Sequence, residues 1–390
     1  MKNEVTKAIR TQIKSTHAKE HSTPLYLTSS FTFDDSEEMR AAFADEIERP
    51  IYSRFSNPNC DEFIEKICLM EETEAGYATA SGMAAIFATF AAFCKSGDNI
   101  VSCKSVFGAT HTILTKILPK WNISTTYVDV NADKNTWLNA INNNTRLLYI
   151  ESPTNPGIDI LDLEMLGEIC RQKKILYVVD NCFATPCLQK PVRYGADLII
   201  HSATKFIDGQ GRVNGGIITG KKAFIKEIYN FCRSTGPALS PFNAWVLSKS
   251  LETLSLRMEK HSQNALITAQ YLAKETNKIT SVKYPFLPSH PQYQLATKQM
   301  KAGGALISFE LKQGLSAGQK FLNALRLCSL TANLGDTRTI ITHPASTTHA
   351  KLTLQERLET GITDGLIRIS VGLEDVDDII GDIQQALDKI

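Results

Sequence analysis

The run Asp197-Leu198-Ile199-Ile200-His201-Ser202-Ala203-Thr204-Lys205 carries a buried-strand pattern straight into a lysine. A cation at the end of an apolar strand is costly unless its charge is lost or paired. Desolvation lowers the pKa of the amine and makes it nucleophilic, which suits Schiff-base chemistry with a carbonyl compound. Ser202 and Thr204 stand two apart, so in extended chain their hydroxyls share a face and are available as phosphate donors. From this segment alone, a surface lysine following a strand is an equal alternative.

Two further features shift that balance. Asp180 ends the apolar run 175–179, which puts its carboxylate at the carboxyl edge of a parallel sheet, where ligands bind in open α/β folds. An acid there pairs with a protonated pyridine nitrogen and makes such a ring a better electron sink. The plain alternative is a solvated strand-end turn with Asn181. Ser81-Gly82-Met83 opens a helical pattern, so free backbone N–H groups and the positive end of a helix dipole are offered to a phosphate. Alone, it is an ordinary N-cap. Lysine, strand-end aspartate and helix start together point to pyridoxal 5′-phosphate.

The elements that must position these groups alternate along the chain. Short continuous apolar runs predict strands over 99–103, 124–130, 146–151, 175–180 and 197–201. Helical periodicity predicts helices over 61–71, 82–94, 111–118 and 163–173. Strands buried on both faces with helices between them make an α/β fold with a mostly parallel sheet. After about 235 the texture changes: helices over 241–252 and 257–274, strands over 281–284, 304–311 and 366–371, and a closing amphipathic helix over 376–387. The expected organisation is an N-terminal arm over 1–45 with one short helix, an α/β cofactor-binding domain over 46–235, and a smaller α+β C-terminal domain over 236–390.

Composition narrows the partners. Of 390 residues, 43% are hydrophobic and 21% charged, an ordinary globular balance. Forty-two basic against 41 acidic residues leave a net charge of +1, which argues against nucleic acid or a membrane surface as main partner. No apolar stretch approaches the roughly 18 residues that cross a bilayer. The nine scattered cysteines form no CxxC and the eight histidines no HExxH, so reduced thiols, a cytoplasmic setting and no metal are expected. The isolated pair His343 and His349 reads as structural. Gly215 to Lys222 nearly spells a Walker loop, but Lys222 stands where Ser or Thr is needed and 216–219 reads as a strand. Gly209-Gln210-Gly211 lacks the third glycine of a dinucleotide fingerprint.

The segment from Asp197 through Lys205-Phe206-Ile207-Asp208-Gly209-Gln210-Gly211 closely resembles the lysine signature of the Cys/Met-metabolism pyridoxal-phosphate enzymes. That family includes cystathionine γ-synthase, the cystathionine lyases, methionine γ-lyase and the homoserine-ester sulfhydrylases. The resemblance runs from about 23 to 387. It implies the fold-type I, aspartate-aminotransferase-like architecture for the large domain. It implies that Lys205 forms the Schiff base and then moves protons between Cα, Cβ and C4′. Asp180 is implied to pair with the pyridinium, and Ser81, Gly82, Met83, Ser202 and Thr204 to bind the phosphate. Tyr52-Ser53-Arg54 resembles a tyrosine–arginine pair that reaches the neighbouring subunit's cofactor phosphate. The implied assembly shares its active sites within an obligate dimer, two dimers forming a homotetramer. Glu151-Ser152-Pro153-Thr154-Asn155-Pro156 resembles the loop whose asparagine, here Asn155, lies near the cofactor's phenolic oxygen. Gly365 to Gly372 carries Arg368, implied to grip the substrate α-carboxylate as a bidentate fork, with Asn155 and Asn333 beside it. Without the resemblance, Arg368 reads as a solvated edge charge.

Where many members have a tyrosine that stacks on the cofactor and assists the leaving group, this chain has Phe107. The ring stacks but exchanges no proton, and it joins Lys205 and Tyr52 in the implied catalytic set. Methionine γ-lyases carry a cysteine where Ala109 stands. Phe107, Asp208 to Arg212 and Ser240 to Trp245 look most like O-succinylhomoserine sulfhydrylases. The implied reaction is γ-replacement of succinate by sulfide, giving homocysteine. The alternatives are cystathionine γ-synthesis, O-acetylhomoserine sulfhydrylation, a γ-lyase, and a catalytically idle cofactor-binding protein. Arg233 is an expected contact for a distal succinyl carboxylate, a surface salt bridge being the commoner arrangement.

Overall fold

A computed structural model of the chain describes residues 3–390 other than 349, 352 and 360. Seven strands form its larger sheet: β1 (Ala75–Thr79), β2 (Asn99–Cys103), β3 (Ser124–Val128), β4 (Thr145–Glu151), β5 (Leu176–Asp180), β6 (Leu198–Ser202) and β7 (Gly216–Gly220). Their order is β1-β7-β6-β5-β4-β2-β3. The run β3 to β6 is parallel, and β7 is antiparallel to both neighbours.

The apolar runs explain this layout. Consecutive residues of a strand face opposite sides, and here both sides are covered. Leu147, Tyr149, Val178, Leu198 and Ile200 pack under the helices Gly82–Phe93 and Lys222–Thr235. Leu148, Ile150, Tyr177, Val179 and Ile199 pack under the helix Leu163–Lys173. The register pairs Glu151 with Asp180, so adjacent strands end together at one carboxyl edge.

A second sheet holds β8 (Ile279–Lys283), β9 (Leu306–Leu311), β10 (Ser329–Leu330), β11 (Ile340–Thr342) and β12 (Leu366–Ser370) in the order β10-β11-β12-β9-β8. All pairings are antiparallel except β10 with β11. The helices Leu254–Leu272, Gly314–Ala324 and Val376–Leu387 bury their apolar faces against it.

Several expectations need correction. The helix read over 111–118 is an α-helical turn, Gly108–Thr112, widening to a π-helical segment, Ile113–Ile117, and closing as a 3₁₀ turn, Leu118–Trp121. Pro119 has no N–H to continue a helical ladder. The N-terminal segment carries two helices, Glu4–Arg10 and Ser36–Phe43, not one. The chain also turns immediately after Ser202, so Thr204 and Lys205 lie in a turn and not in extended strand. The near-Walker run is β7, a fully buried strand.

Candidate active site

The carboxyl edges of β4, β5 and β6 present Glu151, Asp180 and Ser202 side by side. Asp180 ends β5 with Oδ1 accepting the Cys182 N–H at 2.9 Å and Oδ2 lying 3.5 Å from the Tyr149 hydroxyl. Burial raises its carboxyl above the ordinary range, opposed by the Cys182 N–H, the charge of His201 and the Tyr149 hydroxyl. A cationic partner at this edge would restore the carboxylate, which is what a pyridinium supplies.

Beyond β6 the chain makes the turn that holds Lys205. The Lys205 N–H donates to Ser202 O at 3.2 Å, and Gly209 N–H returns to Lys205 O at 2.8 Å. Buried Arg257 fastens the turn from below, donating to the carbonyls of Phe206 at 2.6 Å and of Ile207 and Ser250 at 3.0 Å. The Lys205 amine is partly buried, and burial lowers its pKa, with the Arg368 cation adding to the effect. Its Nζ donates to Asn333 Oδ1 at 2.6 Å.

A phosphate cradle lies beside this turn. Ser81 caps the helix Gly82–Phe93, its Oγ accepting the Ala84 N–H at 3.1 Å. The first N–H groups of that twelve-residue helix have no acceptor within it. Gly82 packs directly on Ser202: a Cβ there would lie 2.6 Å from Ser202 Cβ and 2.8 Å from its Cα. Only glycine lets the helix start come this close to the end of β6. Thr204 is differently engaged. Its hydroxyl donates to Gly215 O at 3.3 Å and accepts from Gly215 N–H at 3.1 Å. It does not share a face with Ser202 as extended chain would have arranged.

Arg368 approaches from the second sheet. Its side chain is buried, its Nη1 donates to Asn155 Oδ1 at 3.0 Å and its Nη2 to Asn333 O at 3.4 Å. Among the described residues its Nε has no acceptor and the guanidinium no carboxylate partner. Burial pulls its pKa down to about 10, which leaves it cationic at neutral pH. The alternative of a solvated edge charge does not hold: among the described residues Arg368 is a buried cation without a carboxylate partner. Lys205, Asp180, Asn155, Asn333 and Arg368 thus belong to one site, with Ser81, Gly82, Met83 and Ser202 at its border.

Phe107 stands over the same edge with its ring 45% exposed, and its N–H donates to both carboxylate oxygens of Glu151 at 2.9 and 3.0 Å. Tyr52 and Arg54 engage a different set of partners. Arg54 sits 4.8 Å from the Phe55 ring and 5.6 Å from the Tyr52 ring, and donates to the carbonyl of Arg233. Arg233 stacks on Phe55 at 4.3 Å and faces Asp45 at 3.8 Å. Among the described residues none of these three touches Lys205, Asp180 or Ser202. His343 is held between Ser346 Oγ at 2.7 Å and Asp364 O at 2.8 Å, a structural role, and His349 lies outside the described residues. The described residues contain no cluster fit for a metal ion and no helix long and apolar enough to cross a membrane.

The arrangement fits pyridoxal phosphate: an amine, a buried acid for the ring nitrogen, and a cradle that a Cβ would fill. The Cys/Met metabolism PLP-dependent enzyme family matches residues 5–388. The chain belongs to this family. It is accordingly a pyridoxal-phosphate-dependent enzyme. Its sequence is 44% identical over 382 residues to an O-succinylhomoserine sulfhydrylase of Pseudomonas aeruginosa, covering 98% of this chain and 94% of the relative. It is also 44% identical over 370 residues to an L-methionine gamma-lyase of Fusobacterium nucleatum, covering 94% and 93%. Among solved structures it superposes with a TM-score of 0.95 on a putative O-acetylhomoserine (thiol)-lyase of Campylobacter jejuni. That structure bears N′-pyridoxyl-lysine-5′-monophosphate at position 205. The two share 33% identity over 99% of this chain and 100% of the other. The fold expected from the sequence, fold-type I with a smaller second α+β unit, is the one observed.

Sequence reasoning missed Glu151, Tyr149 and Arg257 as parts of the site. Glu151 ends the apolar run of β4 just as Asp180 ends that of β5, so the same strand-end signal was available. Arg257 gave no signal, because its partners are main-chain carbonyls about 50 residues away in sequence.

Proposed function

We propose that the enzyme carries out γ-replacement on O-succinylhomoserine, taking sulfide as nucleophile and releasing homocysteine and succinate. The observation that carries this reading is Arg368, a buried cation without a counter-ion among the described residues, joined through Asn333 to the Lys205 amine. That pair matches an α-amino acid, carboxylate to the guanidinium and Cα to the amine. Two O-succinylhomoserine sulfhydrylases, at 44% and 40% identity, stand among the relatives.

Bound pyridoxal phosphate supplies the electron sink that makes the Cα and Cβ protons acidic. Arg368 and Asn155 hold the carboxylate and fix which protons face Lys205. The Lys205 amine, its pKa lowered by burial, takes the Cα proton and returns it at the end. Asp180 would pair with the ring nitrogen and keep it protonated. Phe107 would face the ring and offers no acid. Succinate is a stable leaving anion that departs without one, whereas expelling a thiolate needs more help. That difference favours an acyl ester over methionine as substrate, although methionine γ-lyases are equally similar in sequence.

Tyr52 and Arg54 are assigned to the neighbouring subunit's cofactor phosphate, in a homotetramer of two dimers. The resemblance of Tyr52-Ser53-Arg54 to the family's tyrosine–arginine pair supports this. The nine free cysteines support a reducing, cytoplasmic setting. We keep the division at about 45 and 235 into arm, cofactor-binding domain and C-terminal domain.

Product analysis tests the reaction. The holoenzyme is given O-succinylhomoserine with sulfide, with cysteine, or with neither. Homocysteine as the dominant product is expected. Cystathionine as the preferred product would reassign the enzyme to cystathionine synthesis, and 2-oxobutyrate in all three would make it a γ-lyase.

A further inference from the structure

Phe107 presents a puzzle of support. The residue is 45% exposed and makes no aromatic contact among the described residues, so packing alone holds it weakly. It opens the helix Gly108–Thr112 without a side-chain cap. What holds the residue in place is main chain: its N–H lies between both oxygens of Glu151 at 2.9 and 3.0 Å. Glu151 is in turn fixed from its own strand, because Tyr149, two residues earlier on the same face of β4, directs its hydroxyl to Glu151 Oε1 at 3.2 Å. Tyr149 is fully buried, and its ring is wedged edge-on against Phe90 at 5.2 Å. The same hydroxyl lies 3.5 Å from Asp180 Oδ2.

We propose that Glu151 is a positioning residue that sets the Phe107 ring against the cofactor by accepting the Phe107 N–H, with the Tyr149 hydroxyl clasping the carboxyl in place. This rests on the reading of Phe107 as the ring that stacks on pyridoxal phosphate. A hydrogen bond of this kind matters at this position. The loop after β2 ends in an exposed aromatic, and an unanchored backbone would let the ring swing over solvent. Glu151 is buried and, with Asp180 as cross-strand neighbour, burial and like charge both favour its protonated form. A neutral acid still offers a carbonyl oxygen to an N–H donor. In that form Glu151 acts as an acceptor and not as a charge.

The test is a double-mutant cycle on the holoenzyme. It reads the dissociation constant of pyridoxal phosphate and the visible circular dichroism of the bound cofactor. Glu151→Leu keeps the volume but removes the acceptor, and should weaken cofactor retention about tenfold and lower the visible ellipticity by about half. Glu151→Gln restores an acceptor without charge and should stay within about twofold of wild type. Phe107→Ala should also weaken retention, and adding Glu151→Leu to it should cost nothing more. If Glu151→Leu fails to fold, Tyr149→Phe, which removes a single hydroxyl, takes its place in the cycle and should weaken retention about threefold, again with no further effect on Phe107→Ala. Independent, additive effects, or loss of retention in Glu151→Gln, would overturn the positioning role while leaving the stacking reading intact. Unchanged retention and dichroism in Phe107→Ala would overturn the stacking reading and the inference with it.

Discussion

Asn333 touches both basic side chains of the site: its Oδ1 accepts the Lys205 Nζ–H at 2.6 Å, and its carbonyl lies 3.4 Å from Arg368 Nη2. One residue of the loop between β10 and β11 thus ties the lysine that follows the first sheet to the carboxylate grip of the second. Placing a charge there tests how the amine is tuned. Asn333→Asp puts a carboxylate where the amide oxygen was and reverses the burial-driven lowering of the Lys205 pKa. Cofactor-free Asn333→Asp should capture pyridoxal phosphate about tenfold more slowly at neutral pH, its rate profile moving to higher pH. Stopped-flow absorbance against pH reads this directly; an unmoved profile would separate Asn333 from the tuning of the amine.

Arg368 should trade stability for function. Removing a bidentate, charge-assisted contact costs about 2–3 kcal/mol of transition-state binding, roughly 30- to 150-fold in kcat/KM. The same cation is buried, and among the described residues it has no counter-ion. Arg368→Met should therefore raise the stability of the folded chain, by about 1–3 kcal/mol, while lowering kcat/KM. Paired steady-state kinetics and denaturant titration check both halves, and a destabilised Met variant would contradict the account of an uncompensated charge.

Gly82 is the tightest point of the cradle. Alanine there would push its Cβ into the Ser202 backbone, with contacts of 2.6 and 2.8 Å that no rotamer change relieves. We expect Gly82→Ala to fold but to lose cofactor affinity by about tenfold or more, because the helix start must withdraw from β6. Dialysis against free phosphate followed by cofactor absorbance measures the loss. Ser81→Ala, which removes the cap, should instead cost about 1 kcal/mol of stability.

The Glu151–Asp180 pair predicts a pH dependence with a definite sign. Both carboxyls titrate above their unfolded values because burial penalises the charged form. Between the unfolded and folded values the folded chain holds more protons, so the stability contributed is complete below the unfolded pKa and is lost as pH rises. The Tm of the cofactor-free enzyme should fall from about pH 5 to about pH 8. Glu151→Gln, with no proton to lose, should fall less steeply. Parallel curves for the two proteins would remove Glu151 from the effect.

Mixing experiments address the assignment of Arg54. Lys205→Ala and Arg54→Ala should each be inactive or nearly so as homo-oligomers. If each site draws Lys205 from one subunit and Arg54 from the other, hybrids concentrate both lesions in one site and leave the other whole. Random reassociation of equal amounts should restore about a quarter of the wild-type activity. No recovery on mixing would place Arg54 in its own subunit's site.

Much of this site could be read before any coordinates. Asp180 and the Lys205 segment stood out because an apolar run buried on both faces ends in a residue that cannot stay buried and charged without a partner. The helix start at Gly82 was legible as a phosphate site, but its contact with Ser202 was not, because that contact is set by how the helix Gly82–Phe93 lies across β6 and β7. Thr204 was misplaced for a related reason: period-two logic was carried past the point where the chain turns. Strand β1, Ala-Gly-Tyr-Ala-Thr, has little strand propensity of its own and exists because β7 pairs with it along its whole length. Only the family resemblance marked Arg368 as a carboxylate grip; its local sequence reads as a surface charge, since nothing local marks a strand arginine as buried on the face toward Asn155.

The bond between Lys205 and Asn333 spans 128 residues of chain. During synthesis, at roughly 5–20 residues per second, the lysine leaves the ribosome about 6–25 s before its acceptor. For that interval the nascent chain already owns the aspartate, the serines and the amine that a reactive aldehyde cofactor needs, but not the residues that complete the substrate side. The order of the polypeptide therefore separates the appearance of the cofactor-binding half from that of the substrate grip, and a chain cut short before 333 carries a nucleophile with nothing to discipline it.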